Sequence, residues 1–228
     1  ATCTPYSFAV VLRVKLCMAL AATLVELEAQ PCGVGRCKPL ENSGLERLQQ
    51  LVKTSRGLPV SLDCRRKILA VSNDDITEVI IPLCSWLKGL VEGHNGEAGG
   101  GGRVLVGIVG PAAAGKSTLA QLLCAAGDVL WGDSYMKCVS MDGYSFPNSY
   151  LSAEPAVDHI GRRCTLKAVK GLPSTLDAGA LLRDLRRLRS TYADTVLLPA
   201  YSRDLHDPVP DCVAVAPSCR IVIIEGMY

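Results

Sequence analysis

The chain has 228 residues, 49% of them hydrophobic and 20% charged, with 24 Lys and Arg against 22 Asp and Glu for a net charge of +2. A chain of this length buries roughly 70% of its unfolded surface and forms a real core, and that apolar content excludes disorder for most of it. The near-neutral charge excludes a protein built to coat nucleic acid or an anionic membrane, and an aromatic fraction of 5% with two Phe excludes a stacking platform for single strands.

Residues 1–25 contain no acid and carry Arg13 and Lys15. Their longest uncharged run, Leu16 to Val25, has ten residues, against the ~20 a helix needs to cross a bilayer. Two readings fit this composition: the remnant of an organelle transit peptide, or an amphipathic helix packed on the domain. The first places the protein in a plastid or mitochondrion, the second in the cytoplasm. Both ends of the chain, Ala1 and Tyr228, read as cuts.

Eleven cysteines run from Cys3 to Cys219 without a C-x-x-C pair. Cys32 and Cys37 have four residues between them and no Cys or His partner follows at zinc spacing. Most of these thiols are therefore expected as small buried hydrophobes in a reducing compartment.

Helical spacing covers 43–53 and 74–92. In the second segment Ile76, Val79, Ile80, Leu83, Leu87 and Leu90 recur three or four apart, with Asn73 or Asp74 as the expected cap. Pro82 should kink or divide this helix. The run Gly93 to Gly102 reads as a flexible linker. The expected organisation is an extension (1–72), a helix with its linker (73–102) and a nucleotide-binding domain (103–228).

Past the linker, apolar strands are expected at Val104–Val109, Met136–Met141, Thr195–Leu198 and Ile221–Ile224. Helices are expected at 117–126 and Asp177–Ser190, the latter with Leu181, Leu182, Leu185 and Leu188 on one face. Such alternation predicts an α/β fold: a parallel sheet flanked by helices, with the working residues at the strands' C-terminal ends, preceded by an N-terminal helical extension. Arg183, Arg186, Arg187 and Arg189 interleave with the leucines and read as a solvated face. Asp177 reads as the cap of that helix.

The most informative residues follow the first of these strands: Gly110-Pro-Ala-Ala-Ala-Gly115-Lys116-Ser117-Thr118. This is G-x-x-x-x-G-K-[ST] between a strand and a helix, a phosphate-binding P-loop. Its backbone N–H groups, from Gly110 through Ala113, Ala114 and Gly115 into the helix, form a concave anion site. Lys116 is placed to reach the β- and γ-phosphates, and Ser117 to ligate Mg²⁺. Ala113 stands where many such loops carry another glycine. Glu225 closes Ile221-Val-Ile-Ile224, where an acid holds Mg²⁺ directly or through water. It also reads as a cap or a turn residue. Asp142, in Met141-Asp142-Gly143-Tyr144, is placed to accept the proton of an attacking hydroxyl, although Asp-Gly is also a plain turn signal.

Together these residues resemble the phosphoribulokinase, uridine kinase and pantothenate kinase group of P-loop small-molecule kinases, and within it the uridine-kinase-like branch. Five blocks carry the resemblance in order: V-G-I-V-G-P-A-A-A-G-K-S-T, M-D-G-Y-S-F-P-N, K-G-L-P-S-T-L-D (170–177), P-A-Y-S-R-D-L-H-D-P-V-P-D (199–211) and I-V-I-I-E-G-M-Y. The resemblance implies a kinase that uses ATP and Mg²⁺ to phosphorylate a hydroxyl of a nucleoside-, pantothenate-, glycerate- or sugar-like acceptor. Lys116, Ser117 and Thr118 would bind the triphosphate and metal, Glu225 would assist the metal or substrate, and Asp142 would be the catalytic base. Tyr144, Tyr201, Arg203, His206 and Asp207 would fall to the acceptor side, Arg203 among the catalytic groups; His206 also reads as a turn residue before Asp-Pro.

The sequence departs from the group at Tyr144 (usually Phe), Ser145 (often His), Ser202 (often an acid) and Met227 (usually Asn). It also stops before the further strands and Arg-bearing lid of these kinases, so a chain with cradle and base but no lid is expected. That departure keeps a second reading open, a nucleotide-binding protein without kinase activity. A GTPase is ranked below both, since no N-K-x-D guanine-reading motif is present.

Overall fold

The structure, a computed structural model, describes residues 9–16, 23–28, 42–55, 57–62, 65–95, 103–111, 113–190 and 193–226. The chain forms two compact units, Ala1–Cys138 with Pro217–Tyr228, and Val139–Ala216.

The first unit opens with two strands, β1 (Ala9–Leu16) and β2 (Thr23–Glu28). Then follow α1 (Asn42–Ser55), the hairpin of β3 (Leu58–Leu62) and β4 (Arg65–Leu69), a helical turn α2 (Asn73–Asp75) and the longer helix α3 (Ile81–Asn95). Next come β5 (Val104–Val109), α4 (Lys116–Trp131) and β6 (Met136–Ser140), along which the chain leaves the unit. It returns as its last strand, described below. Among the described residues no helix is long and apolar enough to cross a membrane.

An amphipathic helix is one of the two readings of residues 1–25; the described part of that segment is strand instead. β1 lies parallel to β5, from Ala9 opposite Leu105 to Arg13 opposite Val109, and β2 pairs antiparallel with β1. The segment Ala9-Val-Val-Leu-Arg-Val suits a strand because β-branched residues fit a pleated surface. The edge of β5 also offers unpaired backbone groups that only a strand satisfies. The extension therefore supplies strands to the sheet as well as helices around it. The glycine run at 96–102 lies outside the described residues.

The helices at 42–95 share one apolar core with the sheet. Leu48 of α1, Leu58 of β3 and Leu87 of α3 are fully buried with Ile108 of β5 and Leu123 of α4. The helix start is capped by Ser72 rather than by Asn73 or Asp74. Ser72 Oγ accepts from Asp75 N at 3.0 Å, and Asp75 Oδ2 accepts from Ser72 N at 3.1 Å, so each satisfies an amide of the other. Pro82 does divide the hydrogen-bond pattern: Ile76–Ile80 forms a π-helical turn, with Ile81 N–H donating to Ile76 O, and α3 starts only after it. Proline has no N–H to give back, and a wider turn just before it absorbs the mismatch.

The second unit begins with a 3₁₀ turn, Met141–Tyr144. It continues through α5 (Asn148–Ala153), the hairpin of β7 (Pro155–Val157) and β8 (Arg163–Thr165), and α6 (Ala178–Ser190). It ends in the ribbon of β9 (Val196–Ser202) and β10 (Asp207–Val215), after which β11 (Ile221–Gly226) re-enters the first unit. The main sheet then has the order β2-β1-β5-β11-β6, with β11 parallel to β5.

Here the sequence expectation fails in two places. The strand at Thr195–Leu198 does not join the parallel sheet. It is part of β9, which pairs antiparallel with β10. Only the turn at 203–206 separates them, and a parallel neighbour would need a crossover of a dozen or more residues. Strand β10 was not anticipated, because Pro208 and Pro210 argue against a central strand; they are tolerated in a two-stranded ribbon whose register shifts between Val209 and Val213. In α6, Leu188 is buried and Leu181 and Leu185 half-buried, but Leu182 is 48% exposed. The capping role of Asp177 holds, its Oδ1 accepting from Ala180 N at 2.8 Å.

The joint core makes a direct prediction. Leu123→Ala should cost about 2–5 kcal/mol, because a fully buried leucine leaves both lost transfer energy and a cavity. Urea unfolding followed by circular dichroism should show a lower midpoint at an unchanged slope.

Candidate active site

The P-loop sits at the end of β5, a strand that reads V-L-V-G-I-V and is flanked by β1 and β11. Two residues turn the loop through left-handed backbone, Ala113 at φ 61° and Gly115 at φ 77°. Ala114 is buried, and its N–H donates to Pro111 O at 3.3 Å. Helix α4 begins at Lys116 with no side chain capping it. A helix start that no side chain covers leaves its first amides and the positive end of its dipole available to an anion. Lys116 is only 7% exposed, and its Nζ donates to Pro111 O at 2.7 Å, folded back over its own loop. Ser117 is half-buried and Thr118 exposed at the head of the same helix, and Gly110 is half-buried at the strand end.

Glu225 is also in the first unit and is 7% exposed. It pairs in register with Ile108, and Gly226 pairs with Val109, so its strand ends level with the start of the loop. Burial, followed by the nearby Glu225 carboxylate, pushes the Cys138 thiol far above its ordinary range. Burial likewise raises Cys84 to about 12 and Cys219 to about 11, so these thiols stay protonated.

The second unit holds the remaining candidates. Asp142 is exposed in the 3₁₀ turn after β6, where its N–H donates to Ser140 Oγ at 3.3 Å. The glycine beside it is needed for space rather than for backbone freedom. A Cβ on Gly143 would lie 2.8 Å from Pro199 O and 3.0 Å from Ala200 Cα, both backbone atoms of β9. This close approach sets the Asp142 turn against the strand that carries Tyr201.

Around Tyr201 several segments meet. Lys170 Nζ donates to Tyr201 OH at 3.1 Å, to Asn148 Oδ1 at 3.1 Å and to His206 O at 3.2 Å. Asn148 Nδ2 donates to the same His206 carbonyl at 2.7 Å, and Asn148 N donates to Asp207 Oδ1 at 2.8 Å. His206 is exposed in the turn at 203–206 with φ 51°, and its backbone carbonyl is the part used in this network. Arg203 is exposed in the same turn. Ser202 Oγ accepts from Leu205 N at 3.1 Å and so holds that turn.

No protein-family model matches the sequence. Among curated proteins, it is 30% identical to a candidate uridine kinase of Schizosaccharomyces pombe over 126 residues, 55% of this chain and 51% of that one. It is 34% identical to a pantothenate kinase of Rhizobium meliloti, also over 126 residues, 54% of this chain and 34% of that one. The matched stretch is similar to kinases of the P-loop uridine kinase and pantothenate kinase group. It spans about half or less of the length of these relatives. A solved structure of a candidate fructose transport system kinase from a Silicibacter species matches 64% of this chain and 63% of that one, at 28% identity and a TM-score of 0.48.

Of the departures from the kinase pattern noted in the sequence, Tyr144 and Ser202 have local explanations, Ser202 through its bond to Leu205 N. Tyr144, in place of the usual Phe, is buried, and its hydroxyl lies 3.2 Å from Asp184 Oδ2 on α6. Asp184 is in turn bonded to Arg187 at 2.7 Å. Burial, then the charge and hydrogen bond of Asp184, push the Tyr144 phenol well above its ordinary value. The extra hydroxyl thus has a partner the Phe pattern would lack. Met227 lies outside the described residues. Sequence reasoning assigned no role to Lys170 or Asn148, although both stand inside the matching blocks. The one available signal was Lys170 before a glycine, and Gly171 does take φ 103°.

Two predictions follow from this geometry. Ala113→Gly should stabilise the protein by about 1 kcal/mol, because a side chain in left-handed backbone costs roughly 1–2 kcal/mol; a denaturation midpoint that falls would contradict it. Tyr144→Phe should cost about 1 kcal/mol at neutral pH for the lost hydrogen bond. Because the folded-state pKa is raised, the wild type should lose stability as pH climbs above roughly 10, where an unfolded tyrosine ionises. The stability difference between wild type and Tyr144→Phe should therefore shrink with rising pH.

Proposed function

We propose that the chain carries the nucleotide cradle and acceptor-side residues of an ATP-dependent small-molecule kinase. The reaction is transfer of the γ-phosphoryl group to a hydroxyl of a small metabolite. The observation that carries this reading is the α4 start without a side-chain cap, beneath a loop turned by Ala113 and Gly115, with Lys116 folded over it. Kinase-named relatives with matching sequence support the same reading.

The roles follow from the chemistry. The backbone amides of the loop and of the α4 head bind phosphate oxygens, with Ala114 and Gly115 shaping their path. Lys116 exchanges its bond to Pro111 O for the β- and γ-phosphates, and Thr118 lies on the same helix turn. Ser117 and Glu225 are hard oxygen donors and fit Mg²⁺, which binds through few carboxylates together with substrate phosphates. When bound, Mg²⁺ supplies neutralisation of charge across those phosphates. Asp142, exposed at the end of β6, orients the acceptor hydroxyl and takes its proton. Tyr144 holds the Asp142 turn to α6 through Asp184. Tyr201, Arg203 and His206 serve the acceptor side, Arg203 by countering charge on the transferring group.

Two variants separate binding from chemistry. Lys116→Ala should weaken ATP binding, read by calorimetry. Asp142→Asn should leave ATP binding intact and lower acceptor-dependent ADP release by about 10²–10⁴-fold. Retained turnover in Asp142→Asn would remove it as the base, and ATP affinity unaffected by Lys116→Ala would remove the cradle.

A further inference from the structure

The polar knot around Lys170 has a feature that bears on the acceptor. An ammonium has three protons to donate and no lone pair. Lys170 gives them to Tyr201 OH, Asn148 Oδ1 and His206 O, all three neutral oxygens. Among the described residues no carboxylate lies within ion-pair distance of it. Asp207 is bound instead to the amide of Asn148. This half-buried cation therefore makes no direct ion pair among the described residues.

The direction of the Lys170–Tyr201 bond is fixed by the same chemistry. Since Lys170 only donates, the Tyr201 oxygen must accept, which leaves the phenolic proton for another acceptor. No acceptor for it occurs among the described residues. The ammonium also lies 4.9 Å from the centre of the Tyr201 ring, which holds ring and cation together. Tyr201 thus presents an O–H donor backed by a cation that makes no direct ion pair among the described residues. Such a donor is worth most against a charged oxygen, because charge-assisted hydrogen bonds are roughly twice as strong as neutral ones. The knot stands on the strand whose backbone, at Pro199 and Ala200, packs against Gly143 beside Asp142.

Resting on the kinase reading above, we infer that the phosphoryl acceptor is anionic, and that Tyr201, with Lys170 as its positioning residue, binds a carboxylate or phosphate oxygen of that acceptor. A neutral nucleoside or sugar would offer this donor only a neutral oxygen, the weaker of the two kinds of bond. Specificity among acceptors then arises because a site built to pair with a charged oxygen discriminates against an analogue lacking one.

Three probes on one carbon skeleton test this: glycerate (carboxylate), glycerol 3-phosphate (phosphate ester) and glycerol (neutral). Each is titrated against the full chain in the presence of ATP and Mg²⁺, with two readouts, ligand-induced thermal shift and ADP release. The expected result is a shift with at least one anionic probe at about tenfold or more lower concentration than with glycerol. Which anion acts distinguishes carboxylate from phosphate recognition. Tyr201→Phe keeps the ring under Lys170 and should remove the anion preference. Lys170→Met should do the same, and Lys170→Arg should restore part of it, a rescue that a merely structural lysine would not show in the anion-to-neutral ratio.

Equal shifts with glycerol and both anions, or an anion preference unchanged in Tyr201→Phe, would overturn the inference. Absence of ADP release with every probe, alongside an anion-selective shift, would count against the kinase reading and leave the binding inference standing.

Discussion

The amides at the head of α4 are the constraint on which the first unit depends. They follow a loop that Ala113 and Gly115 turn through left-handed backbone, and among the described residues no side chain caps them. Such a loop is costly to hold, since Ala113 pays a steric penalty there. What holds it is the strand before and the helix after. β5 is locked between β1 and β11, and the inner face of α4, with Leu119, Leu123 and Ala126, is buried in the common core. The N-terminal helices are part of that support, since Leu48 and Leu87 are buried in the same cluster.

The second unit is held differently. Its fully buried side chains are few, with Leu151, Leu188, Leu198 and Val215 the main ones. Hydrogen bonds of polar side chains supply much of its specificity. Lys170 joins the loop before α6, the start of α5 and the turn between β9 and β10, while Tyr144 reaches α6 through Asp184. A polar network of this kind specifies one arrangement only if its members are satisfied. Tyr201 is the member that keeps a proton to spare, and it stands in the block the sequence already marked for the acceptor.

The cysteines show how composition and structure divide the work. Their spacing spoke against a metal site; among the described residues Cys138 and Cys164 are half-buried and Cys212 is exposed, whereas Cys84, Cys124 and Cys219 are packed as small hydrophobes. Their burial raises their thiol pKa, which removes them as nucleophiles. The arginines of α6 likewise read correctly as an exposed face, with Arg187 paired to Asp184 three residues before it.

The local chemistry was legible in the sequence. The P-loop, the cap at Asp177 and the proline break before α3 each depend on residues within a few positions of one another, and spacing alone records them. The pairings that depend on distant partners were not. Residues 9–16 become a strand because β5 has an open edge, which their own composition does not reveal. Thr195–Leu198 joins β10 rather than the parallel sheet because a short turn returns the chain at once. Gly143 reads as a turn glycine, yet it is the backbone of β9 that leaves no room for a Cβ. Lys170 carries no motif of its own; only the fold brings Asn148, Tyr201 and the His206 carbonyl to its three protons. The sequence alone determined where the proposed phosphate cradle lies, because such a cradle is built from consecutive amides. Tertiary structure decided the surroundings of Lys170, because which oxygens meet its three protons depends on segments brought in from elsewhere in the chain.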